Sequence, residues 1–534
     1  MSDRGRARIL VVVCGLLCAP AAVAQHVPSI PHEIVEQPIS LRTGIGSARD
    51  QASTRSTQAH ALYNQGLACL HSYAWIDAAR SFTAALRLDE TFALAHLGLS
   101  YAYEELNKLD AARAAFDRAR GRLSELTEHD RQHIELRAMQ LAAAAGDASQ
   151  LAAYRTALDR ALTAFADDVE LWLLRGIAES PNPIDRGQGS TEGSIRFYER
   201  ALAIAPSYFA AHHYLVHAYE NTGRIDVALE HAMEYVRLAP DVPHAHHMLG
   251  HDLRRLGRIG EAIAAFRKAY DLETTPSRAA EVPPQHDWHH QHNLDLLGTS
   301  HQYIGQLTTA ERFLRASFET PSPLVVQEFN KHEWPAFLLA RGRAEDALAA
   351  ARALTRVPAG VVRAIGHVMA GRALVALNRP VEAADASNLA LKELQAAGPE
   401  ASLAAPHLQG LQAELLLRTG RRDAAVASFR EVRRKLRALP GPDGWSQALF
   451  RLESIGRVAV ATGAWDLAAE TAADMRQHDP SYGGTHYLGA LVAEQAGDRA
   501  EAIRLLQLAE QAWRDADNDF VDLVDARARL AGRR

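Results

Sequence analysis

The chain has 534 residues, of which 48% are hydrophobic, 7% aromatic and 23% charged, and its formal net charge is −6. This length exceeds what a single hydrophobic core organises, so an extended or multi-unit architecture is predicted. The acidic balance argues against a nucleic-acid-binding protein, which would need a basic surface.

The first residues have the pattern of a secretory signal peptide. Three arginines precede an apolar run over residues 9–17, and Ala22-Val23-Ala24 offers a small-x-small cleavage site. The run is too short to span a bilayer comfortably, and no other segment approaches 18 apolar residues. We therefore predict a signal peptide over residues 1–24, a periplasmic or secreted protein, and no stable membrane insertion after cleavage.

Two features follow from this cleavage. It removes Cys14 and Cys18 and leaves Cys69 alone, so no intrachain disulfide is expected and Cys69 is interpreted as a core residue. Residues 25–57 are rich in Pro, Ser, Thr and Gly without a sustained period, which predicts a flexible tether.

A repeated helical pattern begins at about residue 58. Gly66 is followed by Ala78, Phe82 and Ala85, and the same Ala-x-x-x-Phe signature recurs 34 residues later at Ala112, Phe116 and Ala119. Small residues at these positions let two helices approach closely while the large ones fill the gap between them. The pattern resembles the tetratricopeptide repeat (TPR) family, whose helix–turn–helix unit has a 34-residue period.

Turn residues extend this pattern along the chain, although it weakens over 127–168 and 380–450. The turn positions are Gly223, Gly257, Gly305, Gly342, Asn378, Gly420, Gly463 and Gly497. The resemblance implies an all-α, right-handed α-solenoid of about twelve TPR-like hairpins. We divide it into N-terminal repeats (58–206), His-rich central repeats (207–335) and C-terminal repeats (336–534), which end in a capping helix beyond Asp515.

Histidines are concentrated in the central repeats. Thirteen of the 25 histidines fall between residues 212 and 301. The pairs His213/His217 and His247/His251 have i, i+4 spacing and lie 34 residues apart. Each pair therefore shares one helix face, and the two faces are expected to lie side by side on neighbouring parallel helices.

The TPR resemblance also implies which side chains line the concave groove, because helix A of each unit faces it. The residues at groove positions are His213, His217, Glu220, His244, His247, His251, Arg254, Arg255 and Asp295. The following units, starting near Gln291 and Glu328, add His292 and His332. His212 and His246 fall at a position that packs inside the repeat.

Three interpretations of this face remain open. His213, His217, His247 and His251 have the spacing of helical ligands for a divalent transition metal such as Zn, and Glu220 or Asp295 would complete the set. Alternatively, Arg254 and Arg255 help a polar groove bind a peptide or carboxylate. The third interpretation is a hydrogen-bonded wall that binds nothing.

The segments HYLVHAYE and HHMLGHDLRRLGR resemble a group of exported bacterial TPR proteins with paired-histidine helices. This resemblance covers about residues 200–310 and implies a shared site without naming its chemistry. A phosphate-binding loop, an H-E-x-x-H motif and a G-x-S-x-G motif are all missing from the sequence, so no catalytic residue is assigned.

The resulting prediction is an exported TPR scaffold that binds a peptide or protein partner in its concave groove, centred on residues 210–335. The alternative is a metal-binding protein, and potentially a metal-dependent hydrolase, that uses the same histidines.

Overall fold

The computed structural model describes residues 30–322, 324–438 and 441–532, so the predicted signal peptide lies outside the described residues. Regular structure in these ranges is entirely helical, which confirms the all-α prediction. Abundant Ala, Leu and Arg, which are strong helix formers, favour this outcome. In the described part of the chain, no helix combines the length and apolar character needed to cross a membrane.

The N-terminal helices begin after a short irregular segment. They are α1 (His32–Val35), α2 (Thr57–His71), α3 (Trp75–Leu88), α4 (Ala93–Glu105), α5 (Leu109–Arg120), α6 (Glu128–Ala145), α7 (Ala148–Ala164), α8 (Val169–Ile177) and α9 (Glu192–Ile204). The central helices are α10 (Phe209–Asn221), α11 (Ile225–Leu238), α12 (Pro243–Arg255), α13 (Ile259–Glu273), α14 (Pro276–Glu281), α15 (Trp288–Tyr303), α16 (Leu307–Glu319) and α17 (Val325–Asn330).

The C-terminal helices complete the array. They are α18 (Glu333–Ala340), α19 (Ala344–Leu354), α20 (Gly360–Ala376), α21 (Pro380–Ala396), α22 (Ala401–Arg418), α23 (Arg422–Leu436), α24 (Gly441–Ala461), α25 (Trp465–His478), α26 (Gly483–Gln495), α27 (Arg499–Ala512) and α28 (Val521–Ala531). The boundary predicted between residues 335 and 336 falls inside α18, so the array has no break there. The capping helix beyond Asp515 corresponds to α28, whose Leu523 is buried while Val521 is exposed.

Successive helices pack as antiparallel pairs, and twelve such hairpins follow one another from α2–α3 to α26–α27. In ten of them the turn residue has a positive φ: Tyr73, Asn107, Gly223, Gly257, Gly305, Gly342, Asn378, Gly420, Gly463 and Gly497. A left-handed residue ends the first helix and reverses the chain. The predicted turn residues therefore have the expected conformation.

Small residues set the spacing within and between hairpins. A Cβ placed on Gly66 or on Gly98 would lie 2.5 Å from the ring of Phe82. The Phe82 side chain is fully buried between these two glycines. The predicted role of the small-residue signature, a close approach of helices around a large side chain, is confirmed here.

The segment 30–56, which we name the N-terminal strap, is packed rather than flexible. Ile30 and Val35 are buried in the core of the first repeats. The Lys108 ammonium donates to the carbonyl of Ile30 at 2.7 Å, and the Arg42 amide donates to Gln65 Oε1 at 2.7 Å. The prediction of a tether was wrong for these residues, because side chains of the repeats satisfy a backbone that has no periodic pattern of its own.

Both ends of the array fold back onto the central repeats. The Trp288 indole donates to the carbonyl of Tyr73 at 3.0 Å, which joins α15 to the first hairpin. On the other side, the Tyr303 hydroxyl donates to Asp479 Oδ2 at 2.8 Å. The inner face of the central repeats is therefore covered by other parts of the same chain.

Candidate metal centre

The structure brings the predicted histidine rows together only in part: His213 and His217 group with His244, whereas His247 and His251 group with His292. His213 and His217 project from α10, and His244 projects from the neighbouring α12. His213 Nε2 lies 3.1 Å from His217 Nε2 and 3.0 Å from His244 Nε2. Two nitrogens bound to one tetrahedral zinc lie roughly 3.3 Å apart when each Zn–N bond is about 2.0–2.1 Å. The three imidazoles therefore have the mutual spacing of ligands to one ion.

A backbone carbonyl fixes the ring of His213. Its Nδ1 donates to the carbonyl of His71 at 2.7 Å, across 142 residues of chain. Because Nδ1 carries the proton, Nε2 keeps its lone pair and faces the other two rings. This is the arrangement in which a metal-ligating histidine is normally oriented.

Two further groups of imidazoles continue the cluster. The histidine chamber, as we name it, consists of His213, His217, His244, His247, His251, His289 and His292. It contains the triads His213–His217–His244, His244–His247–His289 and His247–His251–His292, and in each triad the ligand atoms lie within 4.8 Å of one another. The chamber therefore has the geometry to hold a metal ion.

The helix α15 contributes the chamber residues His289 and His292, and polar side chains of α13 and α15 orient the chamber rings. His289 Nδ1 hydrogen-bonds to Glu273 Oε1, and the other oxygen of this buried carboxylate pairs with His290. His289 Nε2 is buried without a hydrogen-bond partner in the described chain. His247 Nδ1 lies 3.3 Å from Asn293 Oδ1. A carboxylate or amide thus orients these rings too, and the far nitrogen of His289 stays available.

Burial favours the neutral form of four chamber imidazoles. Loss of solvent lowers the pKa of His213, His244 and His247 well below the usual value. The same effect lowers the pKa of His217 to about 4. Neutral imidazole is the form that ligates transition ions, so the rings need not lose a proton at physiological pH.

Glu220 lies at the end of the chamber as predicted. Its oxygens are 3.9 Å from His217 Nδ1 and 3.6 Å from His251 Nδ1. Burial and the neighbouring Glu220 together raise the pKa of Asp252. A carboxylate is therefore present beside the imidazoles, which is the mixed nitrogen and oxygen donor set of many zinc sites.

Aromatic side chains close the chamber. The Tyr73 ring lies 4.6 Å from His213 and 4.9 Å from His244, centroid to centroid. Trp288 lies 5.9 Å from His244 and stacks on Trp75. Tyr73 itself is 3% exposed. The first hairpin thus occupies the space that an open solenoid would leave for a ligand.

The remaining predicted groove residues are enclosed as well. Arg254 and Asp295 are buried; Arg254 donates to Thr299 Oγ1 at 3.1 Å. Arg255 Nη1 lies 3.4 Å from the carbonyl of Glu220. The expectation of an open groove over residues 210–335 needs correction, because coiling of the array places the first and the later hairpins against this face.

His332 was predicted for the same face, but it lies in another place. It lines a cavity of about 340 Å³ between the central and C-terminal repeats, which we name the basic cavity. The charged residues lining it are Arg372, Arg418, Arg451, Arg457, Glu333, Glu414 and Glu453. Arg372 Nε and Arg451 Nη2 lie 3.3 and 3.1 Å from the same Glu414 oxygen. Burial and the charge of Arg372 lower the pKa of Arg451 to about 10.

Sequence reasoning assigned several residues correctly outside the chamber. His212 Nδ1 lies 2.9 Å from His231 Nδ1 and His246 Nε2 donates to the carbonyl of Pro240 at 2.8 Å, so both serve packing within their repeats. Burial raises the pKa of Cys69 to about 12, as expected of an unreactive core thiol.

Other chamber residues were missed or only half recognised. His289 precedes Gln291, near which the sequence pattern predicts the unit to start, but the structure places it in α15. The helix begins at Trp288, three residues before the predicted start, because the Asp287 side chain accepts the amide of His289. A signal was available in the sequence His-Asp-Trp-His-His over residues 286–290, because its aspartate, Asp287, can cap a helix that begins at Trp288. No sequence signal pointed to Tyr73, because only the coiling of the array brings this residue against the chamber histidines.

Comparison with known proteins identifies the repeat. Two models of the tetratricopeptide repeat family match the chain, over residues 76–125 and 243–275. No curated protein matches it.

Three solved structures are similar in fold. "YrrB: a TPR protein with an unusual peptide-binding site" is 16% identical, with 39% of this chain and 97% of that chain covered and a TM-score of 0.27. MamA is 17% identical, with 42% and 96% covered and a TM-score of 0.22. A monomeric mutant of IFIT1 with Gppp-AAAA is 11% identical, with 86% and 91% covered and a TM-score of 0.34. At these sequence identities and TM-scores, none of the three structures bears on the site. Two segments of the chain thus match the tetratricopeptide repeat family, and the other long helices of the described residues also pack as successive pairs.

Proposed function

We propose that this TPR scaffold binds a divalent transition metal such as Zn in the histidine chamber. The observation that carries the proposal is the convergence of three Nε2 atoms, 3.0 and 3.1 Å apart, around a His213 ring that the His71 carbonyl orients. Imidazole donors with a nearby carboxylate suit Zn and similar borderline ions.

Unpartnered nitrogens favour this function over a wall without a ligand. His244 Nδ1 and His289 Nε2 are buried and lack hydrogen-bond partners among the described residues. A buried polar atom without a partner costs about 1–3 kcal/mol, so such atoms are rare in native proteins. A metal ion in the second triad, His244–His247–His289, would give these rings a partner and offset this cost.

Metal analysis of the full-length mature protein tests the proposal. We expect at least one equivalent of Zn, Cu, Fe or Mn after purification in metal-supplemented medium. The double variant His244→Asn/His247→Asn, which removes a ligand from each of the three triads, should lose that metal. The matched variant His212→Asn/His246→Asn should keep it, because these histidines pack inside their own repeats. Less than about one tenth of an equivalent in the folded wild-type protein would contradict the proposal.

The basic cavity favours a second function, binding of a peptide through a carboxylate. The buried Arg451 and the partly buried Arg372 share the single carboxylate of Glu414, so an incoming carboxylate would relieve their mutual repulsion. The cavity volume of about 340 Å³ also falls within the range of small-ligand sites. TPR arrays generally present such concave surfaces to protein partners.

Peptides with free or amidated C-termini test this second function. A library of free-acid peptides should yield binders that the amidated library lacks, and Arg372→Gln should weaken them. Arg421→Gln, which changes an exposed arginine, should not. Equal binding of both libraries, or unchanged peptide binding by the Arg372→Gln variant, would contradict the assignment of the cavity as a carboxylate site.

Export to the periplasm or the exterior completes the proposal and rests on residues 1–24. N-terminal sequencing of the protein from its native host should start at Gln25. A protein that retains Met1 and stays in the cytoplasm would refute it.

A further inference from the structure

A second group of histidines and carboxylates lies in the N-terminal repeats and shares no residue with the histidine chamber. Its members are Asp50, His129, His133 and Asp168, which we call the strap site. His133 Nε2 lies 2.7 Å from Asp168 Oδ2. His129 Nε2 lies 3.2 Å from the same oxygen and 3.3 Å from Asp50 Oδ1. Three separate parts of the chain thus meet at these four atoms.

Each carboxylate uses one oxygen for local structure and points the other into the strap site. Asp168 caps α8, with Oδ1 accepting the amide of Leu171 at 3.2 Å, and its Oδ2 faces the imidazoles. Asp50 Oδ2 accepts the hydroxyl of Tyr63 at 2.6 Å, and its Oδ1 faces His129. The two histidines have i, i+4 spacing on α6, so both rings leave the same helix face.

The His129 ring is held from behind. Its Nδ1 lies 3.0 Å from Asp130 Oδ1, and the second oxygen of Asp130 accepts the amide of Ser53 in the strap at 3.1 Å. A carboxylate on the far nitrogen of a histidine fixes the ring and increases its basicity, as in carboxylate–histidine–zinc arrangements.

We infer that the strap site is a structural site for one divalent transition ion such as Zn²⁺, which clamps the N-terminal strap to α6 and α8. Ligands about 2.0–2.1 Å from a shared ion, at angles of about 90–110°, lie roughly 2.8–3.4 Å apart. Two of the observed separations, 3.2 and 3.3 Å, fall in this range, and the third, 2.7 Å, lies just below it. Four protein ligands leave no open position, which is typical of structural rather than catalytic zinc.

The alternative is a network of ion pairs between protonated imidazoles and carboxylates. His129 Nε2 carries at most one hydrogen, yet it faces two carboxylate oxygens at nearly equal distance. A divalent ion would bind all four atoms at once, and the charges of Asp50 and Asp168 would balance it.

Titration of the full-length, metal-free protein with Zn²⁺ tests this inference in the background His244→Asn/His247→Asn, which removes a ligand from each of the three chamber triads. We expect one remaining equivalent of tightly bound Zn²⁺. Adding Asp168→Asn should abolish it, and asparagine still caps the helix. Asp130→Asn should weaken binding by about 10–100-fold, because it loosens a ligand without removing it. Asp167→Asn, an exposed neighbour, should bind like the background.

Two measurements keep the result decisive. Far-UV circular dichroism checks that each variant is folded, and Asp50→Asn replaces Asp168→Asn if that variant is not. Hydrogen exchange in residues 30–56 should slow on addition of Zn²⁺ in the background protein but not in Asp168→Asn. A folded background protein that binds no Zn²⁺, or ligand variants that bind it unchanged, would overturn the inference. Either result leaves the chamber proposal standing, since the chamber is tested with its own variants.

Discussion

Tyr73 is the exceptional residue among the turns of the array. Nine other hairpins have Gly or Asn at the positive-φ position, whereas Tyr73 adopts φ 58° with a large side chain. A left-handed conformation costs a residue with a Cβ about 1–2 kcal/mol. The ring that this conformation positions packs against His213, His217 and His244. Strain at one turn residue thus closes the chamber.

Tyr73→Asn tests this balance, because asparagine tolerates the left-handed conformation but lacks the ring. Loss of a buried aromatic side chain should lower the free energy of unfolding by about 3 kcal/mol, partly offset by about 1 kcal/mol of relieved strain. Urea denaturation measures the difference. Asn107→Gly, at the equivalent turn 34 residues on, should change stability by less than about 1 kcal/mol. Equal effects of the two changes would show that Tyr73 is an ordinary turn residue.

The buried His332 makes stability depend on pH. Burial, reinforced by the charges of Arg372 and Arg451, lowers the pKa of His332 to about 4, against about 6.5 in an unfolded chain. Between these values the unfolded state binds more protons than the folded one, so the free energy of unfolding decreases as pH falls from about 6.5 to about 4. The slope for one such histidine is up to about 1.4 kcal/mol per pH unit.

His332→Gln should therefore make the pH dependence shallower in this window. Urea denaturation at pH 7, 6 and 5 should show the wild-type protein losing stability faster than the variant. His32→Gln, which changes an exposed histidine, should follow the wild-type curve. Parallel curves for the wild-type protein and His332→Gln would contradict the assignment of this slope to His332.

At the scale of the element, glycine positions in neighbouring helices have opposite roles. A Cβ on Gly250 in α12 would lie 2.5 Å from the ring of Phe266, the large residue of the facing helix. A Cβ on Gly260 in α13 would meet nothing within 4 Å. The first glycine permits close packing of the hairpin, whereas the second only adds freedom to the unfolded chain.

Gly250→Ala should destabilise the protein by about 1–3 kcal/mol through overpacking against Phe266. Gly260→Ala should stabilise it by up to about 1 kcal/mol, because alanine is the better helix former. Thermal unfolding of both variants beside the wild-type protein measures the two effects. A neutral Gly250→Ala would mean that the helices have room to separate, and the small-residue signature would lose its explanation.

On the scale of the whole molecule, contacts between distant repeats decide which surfaces are open. Tyr303 in α15 donates to Asp479, which follows α25, across 176 residues of chain. The Asp517 amide donates to the carbonyl of Gly305 at 3.1 Å, so the region before α28 also returns to the central turns. Such contacts are absent from an open array in which each repeat touches only its neighbours.

Tyr303→Phe removes one of these contacts without changing the shape of the side chain. The Asp479 carboxylate would lose a buried donor, which should cost about 1–3 kcal/mol. Hydrogen exchange should rise in both α15 and α25. Tyr219→Phe, which breaks a part-buried bond between the neighbouring helices α10 and α9 (to Glu199, 3.0 Å), should cost about 1 kcal/mol and affect only these two adjacent hairpins. Exchange confined to one helix in Tyr303→Phe would show that the ends of the array move independently.

Part of the candidate site was predictable because it depends on local spacing. The pairs His213/His217 and His247/His251 share helix faces by their i, i+4 spacing, and the 34-residue period places these faces side by side. His289 lies in a helix whose start depends on a cap at Asp287, so its register could not be derived from the repeat. The strap site escaped prediction for a similar reason. Asp50 comes from a segment without any period, and Asp168 caps α8, which already accounts for an aspartate at that position.

The sequence by itself determined the helical hairpins, their turns and the shared face of the histidine pairs, because period and turn residues act over a few residues of chain. Only the tertiary structure decided that this face is enclosed. The angle between successive hairpins accumulates along the array, and that sum brings Tyr73 and Trp288 over the imidazoles. Small changes in each packing angle move distant repeats by many ångströms, so no local pattern encodes which of them meet.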